Sequence, residues 1–222
     1  MRELFGKQVL ETDAEVLAPA HTALVVVDMQ NDFGHAKGHF AAAGAFVDPV
    51  GQVLPAVARL VEEAREHGVL VVWIQQTTLP EGRSDSPAWL GFKSRHADAF
   101  DTAYTLDGSW GQQFLEPLAP GAGEPVVKKF RSSAFTHTTL DAVLRCNGIE
   151  SVVVCGCMTE GCVESTARDA GFHDYYVAVA EDAIASNTPD FHDASLTVMR
   201  SHFRVRPTSA LVEAWKAGVV QR

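Results

Sequence analysis

Three side chains capable of acid–base and nucleophilic chemistry stand at the ends of predicted strands. Asp28 directly follows the apolar residues 23–27, Lys129 ends a short apolar run, and Cys162 lies just beyond the apolar residues 152–155. In an open α/β sheet, ligands bind outside the carboxyl ends of the strands. A thiol nucleophile needs a base, and a carboxylate held by a lysine can take its proton. The three residues together predict nucleophilic catalysis by a cysteine.

Cys162 is predicted to lie in a strand-to-helix turn. Val163, Ala167 and Ala170 recur at helical spacing, so a helix begins near Gly161. The free N–H groups at a helix N-terminus favour a thiolate over a thiol and stabilise an oxyanion. The alternative is that Cys162 is a small core residue, since free cysteines are mostly buried and inert. The turn alone leaves both interpretations open.

The elements that must position these side chains alternate between strand and helix. This alternation predicts an α/β domain with a parallel sheet covered on both faces and right-handed crossovers. Residues 34–50 have no period and predict a long loop, and Gly108 is expected to start a further short element. The predicted strands are 23–27, 69–74, 126–129, 152–155, 175–180 and 203–205, and the predicted helices are 49–67, 138–147, one from about 161, 191–202 and 209–216.

Domain organisation is predicted from length and composition. A chain of 222 residues with 46% hydrophobic content is within the range of one α/β domain. We expect a single domain over residues 1–222, with an N-terminal extension at 1–20. Residues 77–108 are rich in glycine, proline and serine and predict an insertion that acts as a lid or a subunit contact.

Charge and hydropathy exclude several classes of partner. The formal net charge is −10, and the 18 lysines and arginines form no run longer than Lys128-Lys129. We therefore expect no binding to nucleic acid or to an anionic membrane. The first ten residues lack the apolar core of a signal peptide, and no stretch approaches the ~18 apolar residues of a membrane span. A cytoplasmic protein is predicted.

The remaining cysteines do not form a recognisable metal site. Cys155 and Cys157 lie two residues apart near the end of a strand and share one face of it. The spacing Cys-x-Cys-x4-Cys lacks the paired Cys-x2-Cys of structural zinc sites, and a disulfide is disfavoured in a reducing compartment. A redox-sensing or binding role for the cysteines is the remaining alternative, and it would leave Asp28 and Lys129 without a function.

Three motifs, in order along the chain, carry a resemblance to a known family. Their spacing resembles that of the isochorismatase-like cysteine hydrolases over residues 22–205, nearly the whole chain. Within that family, Gly108-Ser109-Trp110 and Glu181-Asp182-Ala183 are similar to segments of the ureidoacrylate and N-carbamoyl-amino-acid amidohydrolases. The motifs are Asp28-x-Gln30-Asn31-Asp32-Phe33, Lys129-x3-Ser133-Ala134-Phe135 and Gly156-x2-Thr159-x2-Cys162-Val163-x2-Thr166.

The resemblance implies a fold and a set of catalytic roles. The implied fold is a Rossmann-like three-layer α/β/α arrangement with a six-stranded parallel sheet. Asp28 would be the base, Lys129 its partner and Cys162 the nucleophile. A cis peptide bond is implied between Cys157 and Met158, with the N–H groups of Met158 and Cys162 forming the oxyanion hole. A homodimer or homotetramer is also implied.

Two features of the sequence narrow the function within the family. Nicotinamidases place an Asp-x-His metal motif after the second strand, whereas this chain has Gln75-Gln76-Thr77 there. We therefore predict no metal and no other cofactor. Some isochorismatases, which hydrolyse a vinyl ether, have a small residue where Cys162 stands. The prediction is a metal-independent amidohydrolase that cleaves a small ureido, carbamoyl or amide substrate through a thioester, with a vinyl-ether or other non-amide hydrolase as the alternative.

Substrate-binding residues are predicted from residue type alone. Gln76 is a candidate to hydrogen-bond a urea or amide, and either Arg95 or Arg131 to pair with a substrate carboxylate. Core packing is the competing interpretation for each aromatic residue, and a solvated surface position for each arginine. The aromatic candidates for the pocket wall are Phe33, Trp73, Trp110 and Phe135.

Overall fold

A central parallel sheet organises the chain. The computed structural model describes residues 1–96 and 103–218, and in this part of the chain six strands form the sheet and two form an N-terminal hairpin. The hairpin consists of β1 (Arg2–Leu4) and β2 (Lys7–Val9). The sheet consists of β3 (Thr22–Val27), β4 (Leu70–Gln76), β5 (Val126–Lys129), β6 (Ser151–Cys157), β7 (Tyr176–Ala185) and β8 (Arg204–Arg206).

The strand order places the predicted chemistry at one point of the sheet. The order is β5-β4-β3-β6-β7-β8, and every neighbouring pair is parallel. Counted within the sheet, this is the 3-2-1-4-5-6 order of a Rossmann-like fold, which confirms the predicted fold class. The order reverses between β3 and β6, where such sheets bind their ligands. Asp28 follows β3, and the turn that carries Cys162 follows β6.

Helices cover both faces of the sheet and complete three layers. Leu60 of α4 and Trp215 of α9 are fully buried on one face, and Leu140 of α6 and Met199 of α8 on the other. The helices are α1 (Asp13–Val16), α2 (Asn31–Gly34), α3 (His39–Ala42), α4 (Asp48–His67), α5 (Pro87–Lys93), α6 (Leu140–Cys146), α7 (Glu164–Phe172), α8 (Pro189–His202) and α9 (Thr208–Gly218).

Most predicted elements are present, with bounds that differ by a few residues. Strand β3 is buried along its whole length, as expected for the central strand of a parallel sheet. Helix α4 ends at Gly68, which adopts the left-handed conformation with φ of 75°, as a glycine C-cap does. The predicted loop at 34–50 contains the single-turn helix α3, and the element expected from Gly108 is a turn without helix or strand.

Strand β7 is longer than the sequence predicts. It continues past Ala180 to Ala185, and its second half pairs with the end of β6, Cys157 opposite Ala185. The polar pair Glu181 and Asp182 interrupts the apolar run, so the pattern that predicts a buried strand stops there.

The N-terminal residues pack onto the sheet domain. Val16 and Leu17 are fully buried in its core, and Asp13 forms ion pairs with Arg204 and Arg206 of the edge strand β8. The predicted insertion at 77–108 lies partly outside the described residues, which omit 97–102. Among the helices of the described residues, none has the length and hydropathy needed to cross a membrane.

Candidate active site

The carboxylate of Asp28 is held in a fixed position beneath the surface. Asp28 is fully buried and has a positive φ of 51°, which turns the chain sharply as β3 ends. Its Oδ1 accepts a hydrogen bond from the backbone N–H of Gln76 at 3.0 Å, and its Oδ2 lies 2.7 Å from Nζ of Lys129. The neighbouring strand therefore fixes one carboxylate oxygen and the lysine the other.

Close approach of β6 to β3 depends on Gly156. This glycine has a φ of 116°, and a Cβ built on it would lie 2.0 Å from the carbonyl oxygen of Val27. No side chain larger than hydrogen fits there. The approach brings Sγ of Cys157 to 3.2 Å from the carbonyl oxygen of Asp28. The two strand ends that carry the predicted base and nucleophile are thereby held together.

Lys129 links the carboxylate to the thiol. Its fully buried ammonium group donates to the side-chain oxygen of Gln76 at 2.7 Å and to the carbonyl oxygen of Arg131 at 3.0 Å. The same Nζ lies 3.1 Å from Sγ of Cys162 and forms the ion pair with Asp28. Burial of an ammonium group is costly unless it is paired and hydrogen-bonded, and Lys129 meets both conditions.

The turn that carries Cys162 has a more unusual geometry than a simple helix N-terminus. The peptide bond between Cys157 and Met158 is cis, as the family resemblance implies. Residues Thr159–Val163 then form a single π-helical turn, and α7 begins only at Glu164. The carbonyl oxygen of Met158 accepts from the N–H groups of Gly161 and Val163, each at 3.1 Å. Cys162 is half-buried in this turn.

The electrostatics of the site favour a neutral thiol at rest. Burial raises the pKa of Cys162 to about 12; the positive charge of Lys129 opposes this effect and the Asp28 carboxylate adds to it. Burial also raises the pKa of Asp28, against the attraction of Lys129. The thiolate that a helix N-terminus was expected to favour is therefore not the resting form. A carboxylate with a raised pKa is, however, a stronger base towards that thiol.

Burial disfavours the charged form of Lys129, but its two partners outweigh burial. The charge of Asp28, the charge of Cys162 when it is a thiolate, and the hydrogen bonds to both raise the pKa of Lys129 above its usual 10.5. The lysine is therefore an ammonium ion at neutral pH. It can stabilise the negative charge wherever that charge resides, on the carboxylate or on the sulfur.

Two glutamines form hydrogen bonds next to the triad: Gln76 contacts Lys129, and Gln30 contacts the backbone of Gln76. The side chain of Gln76 is engaged by Lys129, so this residue lies at the site but its amide oxygen is already occupied. Gln30 is fully buried: its Oε1 accepts from the N–H of Gln76 at 2.8 Å, and its Nε2 donates to the carbonyl oxygens of Gln76 and Gln112 at 3.0 and 2.8 Å. Gln30 stands in the first motif, but its residue type gave no sign of this role.

Tyr104 is a further residue near the triad that the sequence did not single out. Burial raises its pKa, and the charges of Cys162, Asp28 and Asp85 add to the effect. Its ring contacts Phe33, with ring centroids 5.8 Å apart. Tyr104 and Phe33 therefore pack against each other, and a place for Phe33 in the pocket wall stays a prediction.

The other three aromatic candidates make contacts with residues outside the triad. Trp73 is fully buried in the core, and its indole N–H donates to Glu124 at 2.6 Å. Phe135 is buried and stacks on His173, with centroids 4.9 Å apart. Trp110 is 45% exposed and contacts His35. Core packing therefore accounts for Trp73 and Phe135, and the structure does not bring Trp110 into contact with the triad.

The two candidate arginines differ in their surroundings. Arg95 is exposed and lies in a short 3-10 turn, Ser94–His96. Arg131 is half-buried, and its backbone carbonyl receives the Lys129 ammonium group. The described residues contain no group of three or more His, Cys, Asp or Glu side chains that could hold a metal ion. Gln75 and Gln76 end β4 and Thr77 follows it, so this stretch carries glutamine and threonine side chains.

The fold and the site define a Rossmann-like α/β protein with a buried Asp–Lys–Cys cluster at its switch point. Residues 22–210 match the family model described as the isochorismatase domain. The chain therefore belongs to the isochorismatase family.

Two relatives share one described activity. The ureidoacrylate amidohydrolase RutB of Methylobacterium radiotolerans is 36% identical over 211 residues, which cover 89% of this chain and 81% of that protein. RutB of Enterobacter sp. (strain 638) is 34% identical over 187 residues, 81% of each chain. The crystal structure of a cysteine hydrolase from Pseudomonas syringae pv. phaseolicola superposes with a TM-score of 0.82 at 23% identity, covering 96% of this chain and all of that one. That last likeness supports the fold.

Proposed function

We propose that this protein, a cysteine amidohydrolase by its family and its relatives, cleaves a small ureido or carbamoyl substrate through a thioester on Cys162. The observation that carries the proposal is the contact of Sγ of Cys162 with Nζ of Lys129 at 3.1 Å, where the same Nζ lies 2.7 Å from Asp28. A nucleophile, a cation and a base are thus in one cluster. The two amidohydrolase relatives support the substrate class.

The first half of the reaction forms the covalent intermediate. The thiol proton of Cys162 moves to Asp28, and the sulfur attacks the carbonyl carbon of the substrate. We assign the N–H groups of Met158 and Cys162 to the oxyanion that forms; loss of one such donor typically costs about 2.7–4 kcal/mol of transition-state stabilisation. Protonated Asp28 then gives its proton to the departing nitrogen, and ammonia leaves when the substrate is a ureido compound.

The second half of the reaction restores the enzyme. Asp28, again ionised, takes a proton from water, and the resulting hydroxide attacks the thioester carbon. The sulfur leaves and recovers a proton from Asp28. A ureido substrate yields a carbamate in this step, which decomposes to an amine and carbon dioxide. Lys129 is the cation of the cluster in both halves of the reaction, since its pKa in the resting site lies above its usual 10.5.

The proposed mechanism does not use a metal ion. Gln76, the last residue of β4, accepts a hydrogen bond from Lys129 and is a poor ligand for zinc compared with histidine, cysteine or a carboxylate. A homodimer or homotetramer in the cytoplasm, built from one domain per chain, stays a prediction from the resemblance and the sequence.

The test is ammonia release from a panel of ureido acids, N-carbamoyl amino acids, biuret and simple primary amides. We expect release that survives a chelator and is abolished by Cys162→Ala. Release that a chelator stops would contradict the metal-independent scheme. If Cys162→Ala keeps its turnover, or if only a vinyl ether is hydrolysed, the thioester mechanism is wrong.

A further inference from the structure

Arg131 is a half-buried cation beside the triad with no carboxylate partner among the described residues. The basic side chains around it are paired: Lys93 with Asp85 at 2.7 Å, and Arg83 with Glu81 at 2.7 Å. Lys128 likewise pairs with an aspartate. In a chain with a net charge of −10, a half-buried arginine left without a counter-charge needs an explanation.

Neutral groups hold the guanidinium of Arg131 in place. Its Nη1 donates to the carbonyl oxygens of Ser84 and Phe130 at 3.0 and 2.6 Å, and its Cζ lies 5.0 Å above the ring of Trp89. These contacts orient the plane of the guanidinium without neutralising its charge. The indole Nε1 of Trp89 is itself a buried donor without an acceptor in the described part of the chain. Two donors in this corner of the site therefore lack a negatively charged acceptor.

The same corner is linked to the thiol through Lys129. The backbone carbonyl of Arg131 is 3.0 Å from Nζ of Lys129, which in turn contacts Cys162. Ser84, which accepts from the Arg131 guanidinium, precedes Asp85, and the charge of Asp85 acts on Tyr104 as the charge of Asp28 does. Arg131 is thus joined to the triad through its backbone, and its guanidinium joins the Ser84–Trp89 segment to the same corner.

We propose that Arg131, assisted by the indole N–H of Trp89, binds a carboxylate of the substrate, so that the enzyme acts on ureido acids in preference to neutral ureas and amides. The planar guanidinium matches a carboxylate through two parallel hydrogen bonds. The carboxylate supplies the missing counter-charge and holds the other end of the molecule while its carbamoyl carbon faces Cys162. This inference rests on the proposed function, because it names the substrate class of the same site.

The experiment separates binding from turnover. In the Cys162→Ala background, which cannot form the thioester, we would measure the Kd of 3-ureidoacrylate and of its methyl ester, a neutral analogue of nearly the same shape. Arg131→Gln, Arg131→Lys and Arg95→Gln are then added one at a time. Arg83→Gln, which removes an exposed cation of the same segment, is the matched control.

We expect the acid to bind more tightly than the ester, and Arg131→Gln to weaken the acid about 10- to 100-fold, as for loss of a hydrogen-bonded charge pair. The Kd of the ester should stay within about twofold, Arg131→Lys should recover part of the affinity, and Arg83→Gln should change neither ligand. The proposal is wrong if Arg131→Gln weakens acid and ester equally, which marks a purely structural arginine, or if Arg95→Gln produces the loss instead. It is equally wrong if the acid does not bind or binds no better than the ester.

Ammonia release by the wild type distinguishes a failure of the proposed reaction from a failure of the carboxylate site. If the wild type releases no ammonia from any ureido acid but the acid still binds through Arg131, the carboxylate site stands and the amidohydrolase reaction does not. If ammonia is released from neutral ureas as readily as from acids, the reaction stands and the carboxylate site does not.

Discussion

Replacing Asp28 by asparagine removes the proposed base with little change of shape. Asparagine can still accept the hydrogen bond from the N–H of Gln76, which Asp28 receives at 3.0 Å. It cannot take the thiol proton of Cys162, and it leaves the fully buried ammonium group of Lys129 without its carboxylate at 2.7 Å. Both activity and stability are therefore expected to fall, for separate reasons.

The two losses have different sizes. Removal of a positioned general base lowers the rate by about 10²- to 10⁴-fold. Removal of one partner from a buried ion pair costs about 3–5 kcal/mol of the free energy of unfolding. Lys129 keeps hydrogen bonds to Gln76 and Arg131, so we expect a value near the lower end of that range.

The pH dependence follows from the raised pKa values. Asp28 must be ionised to accept the proton, so kcat/KM of the wild type should fall as the pH drops through a pKa above the usual 3.8. On the alkaline side, the pKa of Lys129 is raised above 10.5, so the profile should stay flat up to that pH. For stability, a carboxyl group whose pKa is raised on folding contributes most at low pH, and that contribution is lost as the pH rises from 3.8 through the raised pKa.

The assay is a pH–rate profile of ammonia release for the wild type and Asp28→Asn, together with urea unfolding of both. The acid limb should disappear in Asp28→Asn, and its residual rate should be nearly independent of pH. An unchanged acid limb in Asp28→Asn would refute the assignment of the base. Nearly full activity in the variant would refute it as well.

Three further substitutions test separate parts of the structure. Gln76→Leu removes an acceptor of Lys129, so kcat should fall about 10-fold with little change in KM; an increase in KM alone would instead favour direct substrate binding by Gln76. Lys93→Met leaves Asp85 as an unpaired buried charge, and urea denaturation should show a loss of about 3–5 kcal/mol; a stable variant would mean that Asp85 finds another partner or binds a proton. Gly156→Ala forces a Cβ against a carbonyl oxygen at 2.0 Å and should cost more than about 4 kcal/mol; a native unfolding midpoint would show that the strands can separate there.

The clustering of Asp28, Lys129 and Cys162 was predictable because all three residues follow strands. Asp28, Lys129 and Cys162 come after buried apolar runs, and parallel strands bring their carboxyl ends to one edge of a sheet. The positions of these residues at strand ends therefore predicted that their side chains lie close together in the folded chain. The protonation state was not predictable, because it depends on how deeply the thiol is buried and on the carboxylate beside it.

Residue type alone did not predict on which face of a strand a side chain lies. Trp73 was a candidate for the pocket wall, but its side chain lies on the side of β4 that faces the α4 and α9 helices. Strands buried on both faces lack the alternation that would distinguish the two sides. Tyr104 was missed because it lies in a segment without any period, where the fold alone brings it to the site.

The most direct test of the central claim is acid-quench mass spectrometry during turnover of the best substrate of the panel. We expect a transient acyl adduct on the peptide that contains Cys162, absent from Cys162→Ala and accumulating more slowly in Asp28→Asn. Turnover at full rate with no adduct on Cys162, or with the adduct on another residue, would contradict covalent catalysis by Cys162.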